Sequence, residues 1–483
     1  MTFCAGASRA DGVSSGGPMQ TFVVSALHVL LASSLSVHIL LNKKSPARAG
    51  IWIILVWFIP VAGALLYWGF GDNRIARRAK RRLKAKRPDG TPDSSGRVPS
   101  NLIPLQVAGD RIAHNPLVPG NHIEVLENGD QAYPAMLAAI ASARKSVAFL
   151  TYIFDSDEVC RHFTDVLCDA ARRGVQVRLL VDGIGARGFG PVLRRRLSEA
   201  GGRMASFWRR GRWLRHPGIN LRNHRKILVI DGETGFTGGI NISARHVTQP
   251  GAPYPESFDL HFKLKGPVVG HLMETFTDDW ELSTNETLTG PDWFPDLTPA
   301  GNVLARGIPS GPDFSVGRLH DLLLAALRTA RVSIDLMSPY FIPDEAIMAS
   351  LRTSARSGVR VRVFIPSKAD HRFMSWGARA YLRELIVCGV EVWEMGPSFN
   401  HSKLTVIDGE WLMMGSANLD PRSFRLNFEF NVEAYSRELA ARVADYMDRQ
   451  VAGARRINMN VLDKESAFIR VRNRFIALFS PFL

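Results

Sequence analysis

The sequence predicts an α/β protein in which a two-helix transmembrane hairpin at the N-terminus precedes two tandem α/β half-domains. Two observations support this prediction: two uncharged apolar stretches of membrane-spanning length lie before residue 71, and the remainder contains one helix–strand–helix–strand pattern twice. Such alternation is typical of a sheet covered by helices. The 483 residues are 46% hydrophobic and 22% charged, a composition that excludes a disordered chain.

The N-terminal region contains the two predicted membrane helices. Phe22–Leu41 and Ile51–Phe70 lack charged side chains, and about 20 helical residues cross a hydrocarbon layer of about 30 Å. Pro60 is compatible with the second helix because helices in lipid tolerate proline. Alternatively, Phe22–Leu41 is a cleaved signal peptide, although it is longer than a usual signal-peptide core. The predicted layout is a tail over 1–20 and a hairpin over 21–71, with helices at about 22–41 and 51–70.

Positive charge follows the second apolar stretch. The chain has a formal net charge of +15, and Asp72–Arg87 contains nine basic residues against one acidic residue. These outnumber Lys43, Lys44 and Arg48 of the connecting loop, so the positive-inside tendency predicts that everything after Asp72 is cytoplasmic. The same cations are suited to an anionic leaflet. Residues 72–104 are therefore predicted to be a polybasic segment followed by a Pro/Gly/Ser-rich linker.

A second basic stretch, Gly201–Ile230, is free of acidic residues and contains aromatic side chains. It indicates an anionic partner, and charge alone does not separate nucleic acid from acidic lipid. The stretch is either a solvated surface or the lining of an access path for anionic lipid.

The rest of the chain is an internal duplication. Each copy contains an amphipathic helix with a strand, a second apolar strand, and a motif rich in glycine; the copies are Met136–Phe154, Ala171–Gly183 and Asn223–Asn241, then Leu322–Phe341, Ala355–Pro366 and Asn400–Asn418. A repeat of this length predicts two similar half-domains and not a solenoid. We expect them at 105–300 and 301–483, with a boundary near Leu288–Pro312 and motifs at about 219–246 and 396–423.

The two copies agree best around an H-x-K-x-x-x-x-D pattern. The matched residues share one offset of 177 positions; they are His224, Lys226, Asp231, Gly232, Gly238 and Asn241 in the first copy, and His401, Lys403, Asp408, Gly409, Gly415 and Asn418 in the second. A histidine and a lysine two positions apart on a strand leave the same face. One such pattern is weak support for a site, whereas two in register within a duplication are strong support.

This set of side chains suits phosphodiester chemistry without a metal. One imidazole can act as a nucleophile and a second as a general acid, while lysine and asparagine side chains stabilise charge on phosphate oxygens. No carboxylate cluster suited to Mg²⁺ is visible in the sequence, so no metal or other cofactor is expected. Asp231 and Asp408 stand at strand ends beside a turn. They join the candidate catalytic set as support, because they are as suited to holding the backbone and a neighbouring cation as to touching substrate.

The cysteine pattern predicts neither a disulfide-stabilised nor a zinc-stabilised domain. The four are scattered, with no Cys-x-x-Cys pair and no His/Cys cluster at zinc spacing, so neither a disulfide scaffold nor a structural zinc site is expected. Cys160 and Cys168 lie two helical turns apart, and we expect both to be small buried residues.

These motifs resemble the phospholipase D superfamily, whose H-x-K-x-x-x-x-D motif occurs twice per active site, and within it the bacterial cardiolipin synthases. The resemblance runs from about Asn42 to the last residue and rests on KKSPARAGIWIILVWFIPVAGALLYWGFG, on NHRKILVID with TGGINI, on NHSKLTVIDG with GSANLDPRSFRLNFE, and on ALFSPFL. It implies two phospholipase D-like halves about a pseudo-twofold axis, with both motifs in one cleft. Gly239 stands where the second copy has Ser416, as is common in the first motif of this family; residues 1–20 have no recognised counterpart.

The resemblance implies a two-step transfer. His224 attacks the phosphorus of one phosphatidylglycerol and forms a phosphatidyl-histidine, while His401 protonates the departing glycerol. His401 then deprotonates a hydroxyl of a second phosphatidylglycerol, which attacks the intermediate and gives cardiolipin. The resemblance assigns further roles: phosphate binding to Lys226, Asn241, Lys403 and Asn418, and orientation of the histidines to Asp259 and Glu429.

The implied partners are phosphatidylglycerol and anionic membrane lipid, in the bacterial cytoplasmic membrane, as a multi-pass protein with a cytoplasmic catalytic domain. No nucleic acid is expected, and the sequence leaves the oligomeric state open. Three alternatives use the same residues: a tethered hydrolase (a phospholipase or nuclease), a phosphatidyltransferase that uses phosphatidylethanolamine or makes phosphatidylserine, and a non-catalytic lipid-binding scaffold. Phe468–Leu483 mixes apolar and basic residues; it rests on the membrane or packs on the core, and packing on the core is favoured.

Overall fold

A computed structural model describes residues 18–43, 46–68, 98–185, 190–207, 221–248, 257–313, 315–368, 371–396 and 398–478. Two compact units are present: residues 1–74 with 212–220, and residues 75–211 with 221–483. The predicted polybasic segment over 72–87, and residues 208–220 of the second basic stretch, lie outside the described residues.

Three helices are described in the first unit: α1 (Pro18–Asn42), α2 (Pro46–Phe58) and α3 (Ala62–Leu66). Among the described residues, only α1 is long and apolar enough to cross a membrane, over Met19–Asn42, which agrees with the helix predicted at 22–41. Helices α1 and α2 pack together. Trp57 Nε1 donates a hydrogen bond to Ser36 Oγ at 3.0 Å, and an apolar cluster that includes Ala32, Trp52 and Val56 is buried between them.

The prediction of one continuous helix over 51–70 is wrong. Helix α2 ends at Phe58, the chain turns through residues 59–61, and α3 then begins at Ala62. Pro60 causes the break, because proline lacks the N–H that the helix needs and its ring clashes with the preceding turn. Val61 adopts a φ of 61°, which a helix cannot accommodate. The 13 residues of α2 span only about 20 Å.

The second unit is built on a mixed β-sheet. The strands of its first half are β1 (Val118–Glu127), β2 (Ser146–Thr151), β3 (Gln176–Asp182), β4 (Arg203–Phe207), β5 (Arg222–Asn223), β6 (Ile227–Ile230), β7 (Thr234–Gly238), β8 (Ser257–Phe258) and β9 (Leu260–Lys265). Those of its second half are β10 (Val303–Ser310), β11 (Ser333–Met337), β12 (Arg360–Pro366), β13 (Glu391–Met395), β14 (Phe399–Asn400), β15 (Leu404–Ile407), β16 (Trp411–Gly415), β17 (Asn427–Tyr435) and β18 (Arg455–Ile457).

The strand order is the same in the two halves. It runs β4-β3-β2-β6-β7-β9-β1 in the first half and β13-β12-β11-β15-β16-β17-β10 in the second, with β18 added at the outer edge. In each half three parallel strands are followed by antiparallel ones. The antiparallel pair β1–β10 joins the halves into one sheet. The predicted α/β fold is thus confirmed, and the duplicated sequence pattern appears as a duplicated strand order.

Helices cover both faces of this sheet. They are α4 (Ile103–Ile112), α5 (Asn128–Ser142), α6 (Glu158–Arg172), α7 (Gly190–Glu199), α8 (Val268–Thr284), α9 (Arg318–Thr329), α10 (Glu345–Arg356), α11 (Arg372–Val387), α12 (Pro421–Arg425), α13 (Arg437–Val451), α14 (Met459–Asp463) and α15 (Ala467–Ala477). Helix α6 illustrates why they form: Asp157 caps its first turn by accepting from Cys160 N, and Phe163 and Leu167 follow Cys160 at helical spacing on the buried face.

Three apolar cores result from this arrangement. One lies between the sheet and α5, α6 and α7, and contains the buried Cys160 and Cys168, as predicted. The second lies under α9, α10 and α11. The third contains residues of α8 and α13 together with strand residues of both halves.

The start of the first half-domain differs from the predicted boundary at residue 105. Leu102 and Leu105 are fully buried in the core of the second half, beside Leu322 of α9. Asp110 of α4 also pairs with Arg306 of β10 at 2.8 Å. Helix α4 thus packs on the second half and not on the first, because its apolar face contacts α9.

Candidate active site

The two histidine motifs lie at the same edge of each half-sheet. β6 is antiparallel to β2, with Ile227 opposite Leu150, and β15 is antiparallel to β11, with Leu404 opposite Met337. The residues that precede β6 and β15 therefore stand at the C-terminal ends of the parallel strands. This is the edge at which open α/β sheets commonly bind ligands.

Each motif is anchored to the opposite half. β5 pairs with β17, and β14 pairs with β8. As a result, the backbone N–H of His224 donates to Phe428 O at 2.8 Å, and that of His401 donates to Phe258 O at 2.7 Å. The residue after each of these acceptors is an acid, which brings a carboxylate from one half beside the histidine of the other.

The two histidines form crossed pairs with those acids. His224 Nδ1 lies 3.0 Å from Glu429 Oε2, and His401 Nδ1 lies 2.8 Å from Asp259 Oδ2. Both carboxylates are fully buried, whereas 11% of each imidazole side chain is exposed. Among the described residues, neither Nε2 makes a hydrogen bond. With Nδ1 held by a carboxylate, Nε2 is the ring nitrogen that can reach a substrate.

The buried environment sets the protonation of these pairs. Burial lowers the pKa of His224, and burial together with Lys403 lowers that of His401 to about 4. Burial opposes ionisation of Asp259, but Lys403 and His401 outweigh it and hold the pKa of this carboxyl at about 2. The pKa of Glu429 is lowered in the same way, chiefly by His224. At neutral pH the carboxylates are therefore charged and the imidazoles neutral.

The two motif lysines stand beside the histidines. Lys226 Nζ donates to His224 O at 2.7 Å, and Lys403 Nζ donates to His401 O. Burial lowers the pKa of Lys226 to about 7, so this ammonium gains from any anion that enters the site. Lys226 Nζ also lies 5.4 Å from the centre of the Tyr152 ring.

The motif asparagines are held by their main chains. Asn241 N donates to His246 Nε2 at 3.4 Å, and Asn418 N donates to Ser423 Oγ at 3.2 Å. Asn418 Oδ1 is buried and accepts no hydrogen bond from the described residues. The Asn418 main chain is thus fixed, while its side-chain oxygen has no hydrogen-bond partner among the described residues.

Asp231 and Asp408 do not join this cluster. They follow β6 and β15, at the strand ends opposite the histidines, and both adopt a φ of 53°. Asp231 accepts backbone N–H bonds from residues 144–146, and Asp408 accepts the equivalent bonds from residues 331–333, at 2.7–3.2 Å. Their inclusion among the candidate catalytic residues is therefore corrected: they tie the strand ends together, because a carboxylate there meets three unpaired amides.

The difference between Gly239 and Ser416 has a steric cause. A Cβ at Gly239 would lie 2.3 Å from Asp259 Oδ1, so a side chain cannot be placed there without displacing this carboxylate. In the second half Ser416 Oγ donates to Glu429 Oε2 at 2.5 Å. The absence of a side chain at Gly239 thus leaves room for Asp259, whereas the Ser416 side chain adds a hydrogen bond to Glu429.

Three further residues build the site and were not identified from the sequence. Tyr152 packs its ring edge-on to His224, with centroids 4.8 Å apart. The centroid of the His246 ring lies 6.1 Å from that of the His401 ring. His246 is equivalent to Ser423 of the second half at the 177-residue offset. This offset could therefore have identified His246 from the sequence. Arg225 pairs with Asp279 at 2.7 Å and donates to Glu429 O at 3.0 Å; no repeat pattern marks it, since the second copy has Ser402.

The arrangement suits a tetrahedral anion held between two imidazoles and two ammonium groups. Among the described residues, no group of three or more His, Cys, Asp and Glu side chains is placed to hold a metal ion. Neutral imidazoles with buried carboxylate partners can accept a proton or attack an electrophile.

Comparisons with known proteins identify relatives over nearly the whole chain. The family model described as "Cardiolipin synthase, PLD-like domain" matches residues 136–280 and 323–451, which include both histidine motifs. The major cardiolipin synthase of Bacillus subtilis is 30% identical over 95% of this chain and 99% of its own length. A cardiolipin synthase of Alkalihalophilus pseudofirmus is 32% identical over 97% of this chain and 96% of its own length. Cardiolipin synthase A of Pseudomonas fluorescens is 31% identical over 96% and 98%, respectively.

A solved structure shares the fold. Phosphatidylserine synthase of Haemophilus influenzae superposes with a TM-score of 0.60 at 16% identity, over 79% of this chain and all of its own. Because the family model covers more than half of the chain and the curated relatives match nearly all of it, the chain belongs to the cardiolipin synthases, phosphatidyltransferases of the phospholipase D superfamily.

Proposed function

We propose that this protein transfers a phosphatidyl group from one phosphatidylglycerol to a second, giving cardiolipin and glycerol. The observation that supports this most strongly is the crossed pairing of His224 with Glu429 and of His401 with Asp259. Two imidazoles with separate carboxylates serve a reaction in two steps, because one can hold the phosphatidyl group while the other moves protons.

In the first step His224 Nε2 attacks phosphorus, and the P–O bond to the departing glycerol breaks. The N–P bond forms at the same centre, and His401 Nε2–H gives its proton to the glycerol oxygen. His401 must be protonated for this step, and the bound phosphodiester favours that form by bringing negative charge beside the ring. Glu429 stabilises the positive charge that develops on His224.

In the second step neutral His401 removes a proton from a hydroxyl of the acceptor phosphatidylglycerol. The hydroxyl oxygen attacks phosphorus, the N–P bond breaks, and His224 is regenerated. One phosphodiester is broken and one is formed, so no nucleotide is consumed. Water is an equally competent nucleophile, and the acceptor must therefore reach the intermediate before water does.

Four side chains are proposed to hold the phosphate. Lys226 and Lys403 compensate its charge, and Asn241 and Asn418 donate from their amides. The lowered pKa of Lys226, about 7, supports this role, because an anion restores the charge that burial disfavours.

We also propose the topology of the whole chain. The N-terminal helices form a hairpin in the bacterial cytoplasmic membrane, with α1 and the broken α2–α3 segment as its arms and the catalytic unit on the cytoplasmic side. The exposed apolar side chains Leu30, Leu40, Ile54 and Leu65 and the basic residues after Asp72 support this placement. A pseudo-twofold axis that relates the first half, from β1 to residue 300, to the second half over 301–483 would account for the repeated strand order.

The test is a mass-spectrometric assay of the purified full chain with labelled phosphatidylglycerol in liposomes and EDTA. We expect cardiolipin and free glycerol in equal amounts, and neither product from His224→Ala or His401→Ala. His162→Ala is the matched control, because this histidine is exposed on α6 and lies outside the site, and it should retain turnover. Phosphatidic acid in place of cardiolipin would make water the acceptor and would overturn the proposal.

A further inference from the structure

The C-terminal helix α15 has one covered and one exposed face. On the covered face, the Arg472 guanidinium stacks on Trp376 of α11 at 4.2 Å from the ring centre, and Asn473 is buried. On the opposite face, Phe468 is 77% exposed, Val471 67%, and Leu478, just after the helix, 70%. These three residues recur at helical spacing and form one apolar stripe, which we call the outer face.

Charge on α15 indicates what covers the outer face. The helix contains Arg470, Arg472 and Arg474 and no acidic residue, and Arg470 and Arg474 are exposed on the flank of the outer face. An apolar stripe flanked by arginines is typical of helices that lie in the plane of an anionic membrane surface. Guanidinium groups can reach lipid phosphates from there while their stems stay in the apolar layer.

The position of α15 connects the outer face to the active-site edge. Helix α11 starts at Arg372, after the C-terminal end of β12, which is the edge where His401 lies. Helices α14 and α15 follow α11 in the reverse direction: Asp463 pairs with Arg383 and Glu465 with Arg379 before Arg472 reaches Trp376. The chain therefore runs along α11 toward the first turn of that helix, which lies at the active-site edge and contains the exposed Phe373.

Within the part of the chain that the structure describes, such a helix belongs to the second half alone. The first-half counterpart of α11 is α7, which connects β3 to β4 and contains Arg194, Arg195 and Arg196. Among the described residues, no helix takes the position on α7 that α15 takes on α11. In the described residues, the outer face is thus an addition to the repeated strand order.

We propose that the outer face of α15 lies in the headgroup layer of an anionic bilayer and holds the active-site edge of the second half against it. This inference rests on the proposed function, since a site for membrane lipid must meet its substrate at the bilayer surface. Docking by α15 would bring lipid phosphates toward the histidines without extracting whole lipids from the bilayer.

The test compares two valines of equal exposure in the full chain. Cys160, Cys168 and Cys388 are buried. A Cys4→Ser background removes the fourth cysteine, which lies outside the described residues. Val471→Cys or Val332→Cys is then labelled with an environment-sensitive fluorophore and placed in phosphatidylglycerol nanodiscs. Val332 is 68% exposed but precedes β11, at the sheet edge opposite the active site. We expect lipids spin-labelled near the headgroup to quench the probe at position 471 several-fold more than the probe at position 332.

The outcomes separate this inference from the proposed function. Equal quenching at both positions would overturn docking by α15, even if cardiolipin is made. Strong quenching at position 471 without cardiolipin synthesis would overturn the proposed function and leave the docking surface standing. A blue shift at position 471 that depends on protein concentration and ignores the spin-labelled lipid would mean that a second copy covers the outer face, which also overturns the proposal.

A kinetic readout adds a second test. The triple variant Phe468→Ser, Val471→Ser and Leu478→Ser should need a several-fold higher mole fraction of phosphatidylglycerol for half-maximal rate, with an unchanged maximal rate. Val332→Ser is the matched control, with no expected change. An unchanged half-saturation in the triple variant would overturn the proposal.

Discussion

Removal of the carboxylate beside each histidine should slow different parts of the reaction. Asp259→Asn and Glu429→Gln are the matched substitutions, because each keeps the shape of the side chain and removes its charge. If His401 is the general acid and His224 the nucleophile, Asp259→Asn impairs proton transfer to the leaving group. Glu429→Gln instead impairs formation of the N–P bond.

The size of the effect follows from the geometry. The two Nδ1-to-carboxylate distances are 2.8 Å for His401 and 3.0 Å for His224. For charge centres about 4 Å apart at an effective dielectric constant of about 20, a carboxylate stabilises an imidazolium by about 4 kcal/mol. Losing this energy in the transition state lowers the rate by about 10³-fold. Both carboxylates are fully buried, so salt should change the effect little.

The assay uses two donors that differ in their leaving group. With phosphatidylglycerol both variants should be slowed by about 10³-fold. With a phosphatidyl p-nitrophenol donor, the leaving group departs without a proton, so the burst of nitrophenolate should be near normal in Asp259→Asn. The burst should stay slow in Glu429→Gln, because nucleophilic attack is still required. Asp408→Asn controls for the loss of a carboxylate outside the cluster and should leave both donors unaffected.

The opposite pattern would refute the reasoning. A normal burst in Glu429→Gln with a slow burst in Asp259→Asn would make His401 the nucleophile. Equal rescue of both variants by the nitrophenol donor would mean that neither acid acts through the histidine beside it. The burst is measured before the second step, so the choice of acceptor does not affect this interpretation.

Three further predictions concern stability and shape. Asp408→Asn should lower the free energy of unfolding in urea by about 1–3 kcal/mol while the kcat of folded enzyme stays within about two-fold, and a large loss of kcat at full stability would contradict the strand-tying role. Burial and Arg306 lower the pKa of His271 to about 3, so on acidification the unfolded chain takes up a proton at this histidine before the folded chain does. The free energy of unfolding should therefore fall by about 2 kcal/mol from this histidine as the pH falls from about 7 to about 5. His271→Asn should remove that part of the pH dependence in urea titrations. Gly239→Ser should lower kcat by at least about 10²-fold because the new side chain displaces Asp259. Ser416→Gly removes one hydrogen bond and should lower kcat by about ten-fold. Equal losses in the two variants would show that the steric argument fails.

The sequence alone could predict what is local or repeated. The α/β class follows from alternating helix and strand patterns, and the motifs from the constant 177-residue offset. The crossed pairs could not be found that way. Glu429 follows Asp259 by 170 residues and not 177, and which histidine each acid meets depends on how β5 and β14 pair across the two halves.

Two failures of prediction have definite causes. Composition showed that residues 51–70 are apolar, but the backbone at Pro60 and Val61 separates α2, which ends at Phe58, from α3, which begins at Ala62. Residue order suggested that α4 begins the first half, but Leu102 and Leu105 find their apolar partners in the second. In the first case the missing N–H of proline outweighed the apolar composition. In the second case burial against a distant apolar surface outweighed the order of the residues in the chain.

On the proposed mechanism, the crossed pairs make neither half sufficient for catalysis. The first half contains a histidine whose carboxylate is in the second, and the reverse holds for the second half. Arg225 ties this arrangement together, because it pairs with Asp279 of its own half and donates to the carbonyl oxygens of Ser310 and Glu429 in the other. A small shift between the halves would lengthen both imidazole–carboxylate contacts at once. On the proposed mechanism, catalysis therefore depends on the alignment of the halves, and the buried Arg225, between His224 and Lys226, helps to fix this alignment.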